Sequence, residues 1–400
     1  MKVTTGEDRN LKKQLNIGVV GTKFMGKAHS HAWLAAPRLF DVPYNVVLKA
    51  VSAQNYDAAK DFAENWGFET VEPDWRKMIK RPDIDVIDVC TPTASHYDIV
   101  MAAAAAGKHI LCEKPCALTS AQAKKMAEAA DKAGVVHYLN HNYRRAPAVT
   151  LAKQLIDEDK LGNIYHWRGA YLQDWITDPN FPLTWQLQKE IAGAGSHFCL
   201  NSHSVDLARY LIGEVESVST MMKTFIKRRP LPSTDAGTFK TGTSETSSII
   251  GDVTVDDASF MLATFENGTL GTFEASRFAV GRKNYNYFEI YGRKGSLLFN
   301  LERMNELEYF NNDDPENVKG FATIPVTLGS HPYMSNWWGP AHIIGYGDTF
   351  IHAVSDFMQA VKVGGSIAPN LWDGVKVMQV LEAGILSSKE RRVVDISEME

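Results

Sequence analysis

Apolar runs of strand length alternate with helical segments along the first third of the chain. Buried-strand patterns lie at residues 15–20, 45–53, 84–92, 109–115 and 136–144. Helical spacing of apolar positions fills the intervals, most clearly at 58–68, 96–108 and 119–135. Strands that alternate with helices form βαβ units. The pattern therefore predicts a parallel, doubly wound sheet.

The pattern changes after about residue 145. A helix at 146–162 is followed by a strand at 163–175 and by a helix at 193–211 with one polar stripe, Cys199, His203 and Asp206. These three residues are four and three positions apart, so they are expected on one helix face. Strands then dominate, and Asn267-Gly268 between two apolar runs indicates a hairpin. We expect a second sheet, antiparallel or mixed, with helices on one face.

Three further segments complete this reading. Residues 285–301 resemble a second hairpin, and 347–365 a closing helix. Residues 230–250 are rich in Ser, Thr and Gly, which predicts a surface loop or flap. The basic run at 227–229 is short and is expected in solvated loop.

Composition and charge exclude several classes of function. The formal charge of −5 argues against a nucleic-acid partner. Neither an apolar leader nor a membrane-spanning run is present, and Cys90, Cys112, Cys116 and Cys199 lack zinc-site spacing. We expect a cytoplasmic protein with reduced thiols and no metal site, and His29 and His31 are interpreted as helix-face residues.

The first strand-to-helix turn contains a glycine motif. It reads Gly21-Thr22-Lys23-Phe24-Met25-Gly26. Dinucleotide-binding turns have the pattern G-x-G-x-x-G, so Lys23 stands at the middle glycine. A lysine suits a phosphate, and its backbone still reaches the pyrophosphate if the side chain turns outward. We expect cofactor binding here, the alternative being a structural turn of the kind found in many α/β proteins.

The end of the second strand bears on the choice of cofactor. NAD sites place a carboxylate there for the adenosine ribose, and NADP sites place a cation nearby for the 2′-phosphate. This chain has Ser52-Ala53-Gln54-Asn55 and neither group. Gln54 or Asn55 can bond the ribose instead. The missing cation favours NAD over NADP.

A chain of 400 residues is too long for one ordinary core, so two domains are expected. The change of pattern divides it into a polar tail at 1–14, a Rossmann domain at 15–143 and a second α+β domain at 144–400. The fold class is α/β: a doubly wound parallel sheet, then a large open sheet that is antiparallel or mixed.

Several segments resemble one known family. The resemblance is carried by Thr91-Pro92, His96 and Glu113-Lys114-Pro115, together with residues 142–149 and the helix at 193–211. These segments resemble the glucose–fructose oxidoreductase, inositol dehydrogenase and rhizopine catabolism (Gfo/Idh/MocA) family. Residues 271–297 and 342–350 resemble its sugar- and glycoside-oxidising dehydrogenases, the pyranoside 3-dehydrogenases among them. The resemblance covers about residues 15–390 and implies a Rossmann domain followed by an open-faced domain whose sheet often builds the oligomer.

The resemblance also implies the residues that bind the cofactor. Matched positions on the turn, the strand ends and the loops after them are Gly21, Lys23, Phe24, Met25, Ser52, Gln54, Asn55, Thr91, Pro92, His96, Glu113, Lys114 and Asn142.

Two catalytic residues follow from the same resemblance, with one departure. The lysine of E-K-P, here Lys114, lies in the family between nicotinamide and substrate. The family helix reads D-x-x-x-H-x-x-D, and its histidine, here His203, takes the hydroxyl proton. Asp206 matches the last position and is expected to be structural, whereas Cys199 replaces the first aspartate. Cys199 is a third candidate.

The thiol leaves three interpretations open. The substrate can differ at the position that an aspartate would contact, or Lys114 and His203 can suffice alone. In the third interpretation, oxidation is impaired and the protein does something else.

A sugar pocket needs converging polar groups and an aromatic platform. Arg144 and Arg277 can pair with an anionic group on the sugar, and an intramolecular salt bridge is the alternative. Candidates for substrate binding are Tyr143, Arg144, Asp174, Trp175, Cys199, His203, Arg277 and His342, with Gln173, Trp185, Trp337 and Tyr346 as further aromatic or polar candidates.

The leading hypothesis is an NAD-dependent dehydrogenase that oxidises a secondary ring alcohol, C3 above all, of a sugar or glycoside. The alternatives are a redox-neutral NAD-dependent glycoside hydrolase, which oxidises C3 transiently and eliminates, and a non-catalytic sugar or cofactor sensor. A homodimer or homotetramer formed through the C-terminal sheet is expected.

Overall fold

The computed structural model describes residues 12–232 and 246–399, which form two units. Unit 1 comprises residues up to 117, 121–142 and 346–375, and unit 2 comprises 118–120, 143–345 and 376–400, each within the described ranges. The predicted tail at 1–14 lies mostly outside these ranges, since the description begins at Lys12 and the first strand at Gln14. The predicted boundary between residues 143 and 144 stays a prediction.

Unit 1 contains a six-stranded sheet in which every neighbouring pair is parallel. Its order is β3-β2-β1-β4-β5-β6. The strands are β1 (Gln14–Val20), β2 (Asn45–Ser52), β3 (Thr70–Val71), β4 (Val86–Val89), β5 (His109–Cys112) and β6 (His137–Leu139). This is the predicted doubly wound sheet, with the order reversing beside β1, where a dinucleotide site is expected.

Helices follow the strands of unit 1 as the periodicity predicts. They are α1 (Phe24–Leu39), α2 (Tyr56–Trp66), α3 (Trp75–Ile79), α4 (His96–Ala105) and α5 (Ser120–Lys132). The closing helix, α10 (Asp348–Val363), packs against α1, where Trp33 meets Phe357 edge-on at 6.0 Å between ring centroids. α11 (Leu371–Glu390) begins in unit 1 and ends in unit 2.

Unit 2 contains a nine-stranded mixed sheet of order β16-β15-β14-β13-β7-β12-β11-β8-β17. The strands are β7 (Ile164–Leu172), β8 (Val215–Lys223), β11 (Ala258–Phe265), β12 (Leu270–Ser276), β13 (Tyr285–Gly292), β14 (Gly295–Asn300), β15 (Glu306–Asn311), β16 (Ala322–Pro325) and β17 (Val394–Asp395). β11 and β12 form the hairpin predicted at Asn267-Gly268, and β13 and β14 form the second. Only the β7–β12 pair is parallel among the described pairs of this sheet.

The helices of unit 2 are α6 (Pro147–Asp157), α7 (Lys189–Ala192), α8 (Ser196–Cys199) and α9 (Asn201–Leu211). α9 packs on β7 and β12. Along β11, Met261 and Ala263 are buried while Phe260 and Leu262 are exposed, so one face of the sheet is packed and the other is open.

Only part of the basic run at 227–229 is the solvated loop that the sequence predicts: Lys227 is exposed and precedes the strand. Arg228 and Arg229 begin β9 (Arg228–Pro232), which pairs with β10 (Thr246–Asp252). Arg229 has 0% of its surface exposed, because its guanidinium donates to backbone carbonyls, that of Asp178 at 2.7 Å among them. The prediction of a loop or flap at 230–250 is wrong at both ends, because residues 230–232 and 246–250 belong to strands β9 and β10. The middle of the segment, 233–245, lies outside the described residues.

None of the helices in the described ranges combines the length and apolarity that a bilayer crossing needs.

Candidate active site

The glycine turn after β1 brings chain segments into close approach. Gly21 has φ +111°, and its amide donates to the Ser52 carbonyl at 2.8 Å. A Cβ at Gly21 would lie 2.7 Å from the Cys90 carbonyl oxygen, and one at Gly26 would lie 2.2 Å from that of Gly21. Both positions therefore require glycine.

The backbone conformation of Lys23 explains why the middle glycine of the motif can be replaced. Lys23 precedes the first residue of α1 with φ −80°, a conformation open to any residue, and its side chain is exposed. The backbone amides at the N-terminus of α1 and the adjacent cation suit a pyrophosphate. Lys23, Phe24 and Met25 are the residues here that would hold it.

The end of β2 matches the expectation of a ribose site without a carboxylate. Ser52 is buried and Gln54 is exposed. The side-chain oxygen of Asn55 accepts the Ala58 amide at 3.0 Å and so caps α2. Gln54 is therefore the freer of the two predicted ribose contacts.

The loops after β4 and β5 are tied together by His96. Its two ring nitrogens lie 2.8 Å from the Thr91 carbonyl and 3.0 Å from the Pro115 carbonyl. The Ser95 hydroxyl donates to the Thr91 hydroxyl at 2.7 Å. In the adjoining loop Asn142 donates to the Thr349 hydroxyl at 2.8 Å. These contacts fix the backbone around the predicted cofactor residues, whose direct roles stay predictions.

A buried polar cluster lies behind Lys114, and sequence reasoning missed it. His29 on α1 lies 2.8 Å from an Asp88 oxygen on β4 through Nδ1 and 2.8 Å from Glu113 Oε1 through Nε2. Trp33 donates to Asp88 at 2.7 Å, and Asn140 donates to Glu113 at 2.6 Å. A signal existed, because Asp88 is a carboxylate between two apolar residues, Ile87 and Val89, of a predicted buried strand.

Charge pairing dominates the acid–base properties of this cluster. Burial alone would lower the pKa of His29, but the Asp88 carboxylate and the neighbouring Cys90 hold that pKa well above its usual value. Burial alone would raise the pKa of Glu113, but the hydrogen bond and charge of His29, the charge of Lys114 and the Asn140 hydrogen bond lower it. These interactions therefore favour a protonated His29 and an ionised Glu113.

The three cysteines of unit 1 are buried and free, as expected of reduced thiols. Burial raises the pKa of Cys116 to about 12 and holds that of Cys90 above its usual value. Cys90 Sγ also lies 3.5 Å from an Asp88 oxygen. The donor atoms of His29, Asp88 and Cys90 fall within 4.8 Å of one another, but both imidazole nitrogens already bond to carboxylates.

In unit 2 the polar-striped helix is interrupted, which corrects the prediction of one continuous helix. α8 ends at Cys199 and α9 begins at Asn201, with Leu200 between them. The His203 amide donates to the Leu200 carbonyl at 3.1 Å, a tighter turn than in an α-helix. Cys199 is therefore not on the same regular helix as His203, and its side chain is partly exposed.

Two tyrosines flank His203. The Tyr143 ring lies 4.3 Å from the imidazole, centroid to centroid, and the Tyr171 ring 5.7 Å. Their hydroxyls are 2.8 Å apart, and Tyr171 donates to Asn284 Oδ1 at 2.7 Å, so Tyr143 is the donor of the shared bond. The two tyrosine rings also lie 6.1 Å from each other, centroid to centroid, so they meet the imidazole from adjacent directions.

The hydroxyl chain continues to two other predicted substrate residues. Gln173 donates to Asn284 Oδ1 at 3.1 Å and accepts from the Trp175 indole at 2.8 Å. Unit 2 thus connects Tyr143, Gln173 and Trp175 in one network beside His203. Asn284 and Tyr171 belong to it although the sequence did not single them out.

The buried Arg144 and Asp206 form a bidentate pair, with distances of 2.8 and 2.6 Å. The intramolecular salt bridge left open for Arg144 is therefore present, and the structural role expected of Asp206 is confirmed. Arg277 is also buried, donating to the Gln186 carbonyl at 3.3 Å and lying 5.3 Å from the Trp175 ring. Substrate binding by the two arginines stays a prediction.

The remaining candidates are more scattered. Asp174 binds Lys283 at 2.8 Å, and that hydrogen bond lowers the pKa of Asp174. His342 is exposed and lies 3.0 Å from the Gly339 carbonyl. Trp337 belongs to the loop after β16, and Trp185 to a short 3₁₀ turn. Tyr346 belongs to unit 1, where its ring stacks on that of Phe24.

A parallel sheet with a glycine turn at its switch point, joined to an open sheet with a helix-borne histidine, defines a dinucleotide-dependent oxidoreductase. Comparison with known proteins gives the family. The model of the "Oxidoreductase family, NAD-binding Rossmann fold" matches residues 15–141, and that of the "GFO/IDH/MocA C-terminal domain" matches 149–298. The chain belongs to the Gfo/Idh/MocA family, as its motifs predict, and its cofactor is NAD.

Individual relatives match over almost the whole length. Levoglucosan dehydrogenase of Pseudarthrobacter phenanthrenivorans is 43% identical over 97% of this chain and 99% of its own. Myo-inositol 2-dehydrogenase of Thermotoga maritima is 25% identical over 96% and 99%. A solved structure of levoglucosan dehydrogenase in complex with NADH and levoglucosan is 42% identical, covers 96% of this chain and 100% of that one, and has a TM-score of 0.90.

Proposed function

We propose that the protein is an NAD-dependent dehydrogenase that oxidises a secondary ring alcohol, at C3, of a sugar or glycoside. The observation that carries the proposal is chemical. A lysine two residues after β5 and a histidine beside two tyrosine rings stand at the positions to which the family resemblance assigns proton transfer. Levoglucosan is the first substrate to test, because a relative 43% identical over nearly the whole chain is named for it.

The two residues divide the proton chemistry. Bound NAD supplies the hydride acceptor. Lys114 donates a hydrogen bond to the substrate hydroxyl and polarises it. His203 takes the hydroxyl proton, since an imidazole changes protonation near neutral pH and the flanking rings of Tyr143 and Tyr171 fix its orientation.

Replacement of His203 tests the proposal. We expect His203→Asn to lower kcat for levoglucosan by about 10²–10⁴-fold, the usual contribution of a general base, while NAD still binds. Initial rates of NADH formation and the cofactor Kd measure the two effects. His31→Gln, at an exposed position of α1, is the control and should leave the rate unchanged. Full activity of His203→Asn would remove His203 from the mechanism.

The same assay separates the redox-neutral alternative. Purified protein is given NAD with a panel of pyranosides and aryl glycosides, and NADH and released aglycone are followed together. Net NADH supports the dehydrogenase. Aglycone without net NADH would indicate the hydrolase, and turnover of any sugar would exclude a sensor.

We also propose that the open face of the nine-stranded sheet forms a homodimer or homotetramer. Its exposed side chains include Met221, Phe260, Leu262 and Leu270. Phe260 lies opposite Met221 in register, so the apolar positions of β8 and β11 adjoin. An apolar face of this kind is typical of a protein interface.

A further inference from the structure

The cluster behind Lys114 spans three strand ends. His29 comes from α1, Asp88 from β4, Glu113 from the residue after β5 and Asn140 from the residue after β6. Each is at most 4% exposed. The imidazole bridges the two carboxylates, one on each ring nitrogen, at 2.8 Å on both sides. No part of the proposed reaction uses His29.

The charges around His29 make the bridge informative. Two carboxylates buried without a cation would be costly, because a low dielectric disfavours the ionised forms. A neutral imidazole has one N–H and can donate to only one of them, whereas an imidazolium donates to both. The Trp33 indole and the Asn140 amide complete the donors to Asp88 and Glu113. The arrangement therefore fits an imidazolium.

We propose that His29 is a positioning residue that stays an imidazolium and, by bridging Asp88 and Glu113, fixes the loop that carries Lys114. Glu113 directly precedes Lys114, and the two charges interact. Asp88 and Glu113 contribute two negative charges, which His29 and Lys114 balance. The inference rests on the proposed function only where it assigns the reaction to Lys114.

The groups that face His29 come from every element packed on it. β4 and the loop after it contribute Asp88 and Cys90, and the loop after β5 contributes Glu113. The loop after β6 contributes Asn140, and α10 contributes the Phe350 ring at 5.4 Å. Loss of the imidazolium would leave Lys114 beside two carboxylates with no other cation among these groups, so the lysine would hold its proton more strongly.

The first experiment examines the protein without turnover. Histidine ring ¹⁵N resonances are recorded for the NAD-bound protein, with His29 assigned by its loss in His29→Gln. We expect the imidazolium pattern at pH 7 and above, where an ordinary histidine is neutral. A neutral His29 at pH 7, or a metal ion found bound to it, would overturn the proposal. Neither result depends on the substrate, so the proposed function is untouched by failure here.

The second experiment compares two variants of the cluster. His29→Gln removes the cation, while Trp33→Phe removes another donor to Asp88 and leaves the charge unchanged. Lys114 is followed by ¹³C NMR after reductive methylation, assigned with Lys114→Arg. We expect its titration midpoint to rise by about one pH unit in His29→Gln and to stay unchanged in Trp33→Phe.

The alkaline limb of the kcat–pH profile should move to higher pH in His29→Gln alone. Equal midpoints in the two variants would mean that His29 only fills space, which overturns the proposal. If His29→Gln does not fold, His29 is assigned in the unaltered protein by nuclear Overhauser contacts with the Phe350 ring, 5.4 Å away, and the ¹⁵N measurement then decides.

Discussion

Cys199 is the residue at which this chain departs from its family's motif. It ends α8 immediately before the break at Leu200, and its side chain is partly exposed. A carboxylate at this position would raise the pKa of a nearby imidazole and accept a sugar hydroxyl, whereas a neutral thiol does neither well. The identity of this residue therefore bears on both the pH optimum and the substrate.

We expect Cys199→Asp to move the acid limb of the kcat/KM profile to higher pH by about one unit. The reason is that His203 must be neutral to accept a proton, and an added negative charge favours its protonated form. Rates from pH 5 to 9 measure the shift. Cys199→Ser, polar but uncharged, should leave the limb in place. Coincident profiles for the two variants would show that residue 199 does not act on the base.

At the scale of elements, α9 holds the candidate base and is itself held by a buried ion pair. Arg144, in the turn before α6, grips Asp206 with two hydrogen bonds, and the Tyr143 ring beside it lies against His203. One short segment thus places an aromatic wall against the base and anchors its helix. The Arg144–Asp206 pair therefore contributes both to the stability of the fold and to the position of the helix that carries His203.

Removing one charge of this pair should destabilise the fold. We expect Asp206→Asn to lower the free energy of unfolding by about 3–5 kcal/mol, because Arg144 would remain buried without its counter-ion. Urea denaturation followed by circular dichroism measures the loss. Asp157→Asn breaks an exposed pair with Lys153 on α6 and should cost less than about 0.5 kcal/mol. Similar losses in the two variants would contradict the role assigned to the buried pair.

At the scale of the whole molecule, the open sheet face is the proposed contact between chains. Leu262 is 62% exposed in the middle of β11, where a charge would be buried on association. We expect Leu262→Glu to reduce the molar mass in solution towards that of a single chain, measured by light scattering after gel filtration. Val280→Glu, at a position 82% exposed outside the sheet, should keep the unaltered mass. An unchanged mass for Leu262→Glu would exclude this face as the contact.

Much of the fold was predictable because it follows from patterns of neighbouring residues along the chain. Alternating strands and helices gave the parallel sheet, Asn267-Gly268 gave a hairpin, and the glycine turn gave the cofactor domain. Local signals failed where long-range contacts prevail. Arg229 looks like a surface residue in sequence but is buried, because backbone carbonyls around residues 176–181 satisfy its guanidinium.

The sequence by itself determined the period of each element, the chemistry of its turns and the residue types at the two proposed proton-handling positions, since these depend on neighbours along the chain. Only the tertiary structure decided which polar groups share a proton or a charge. His29 and Asp88 are 59 residues apart, and Arg144 and Asp206 are 62. Electrostatic pairing depends on distance in space, which no local pattern encodes.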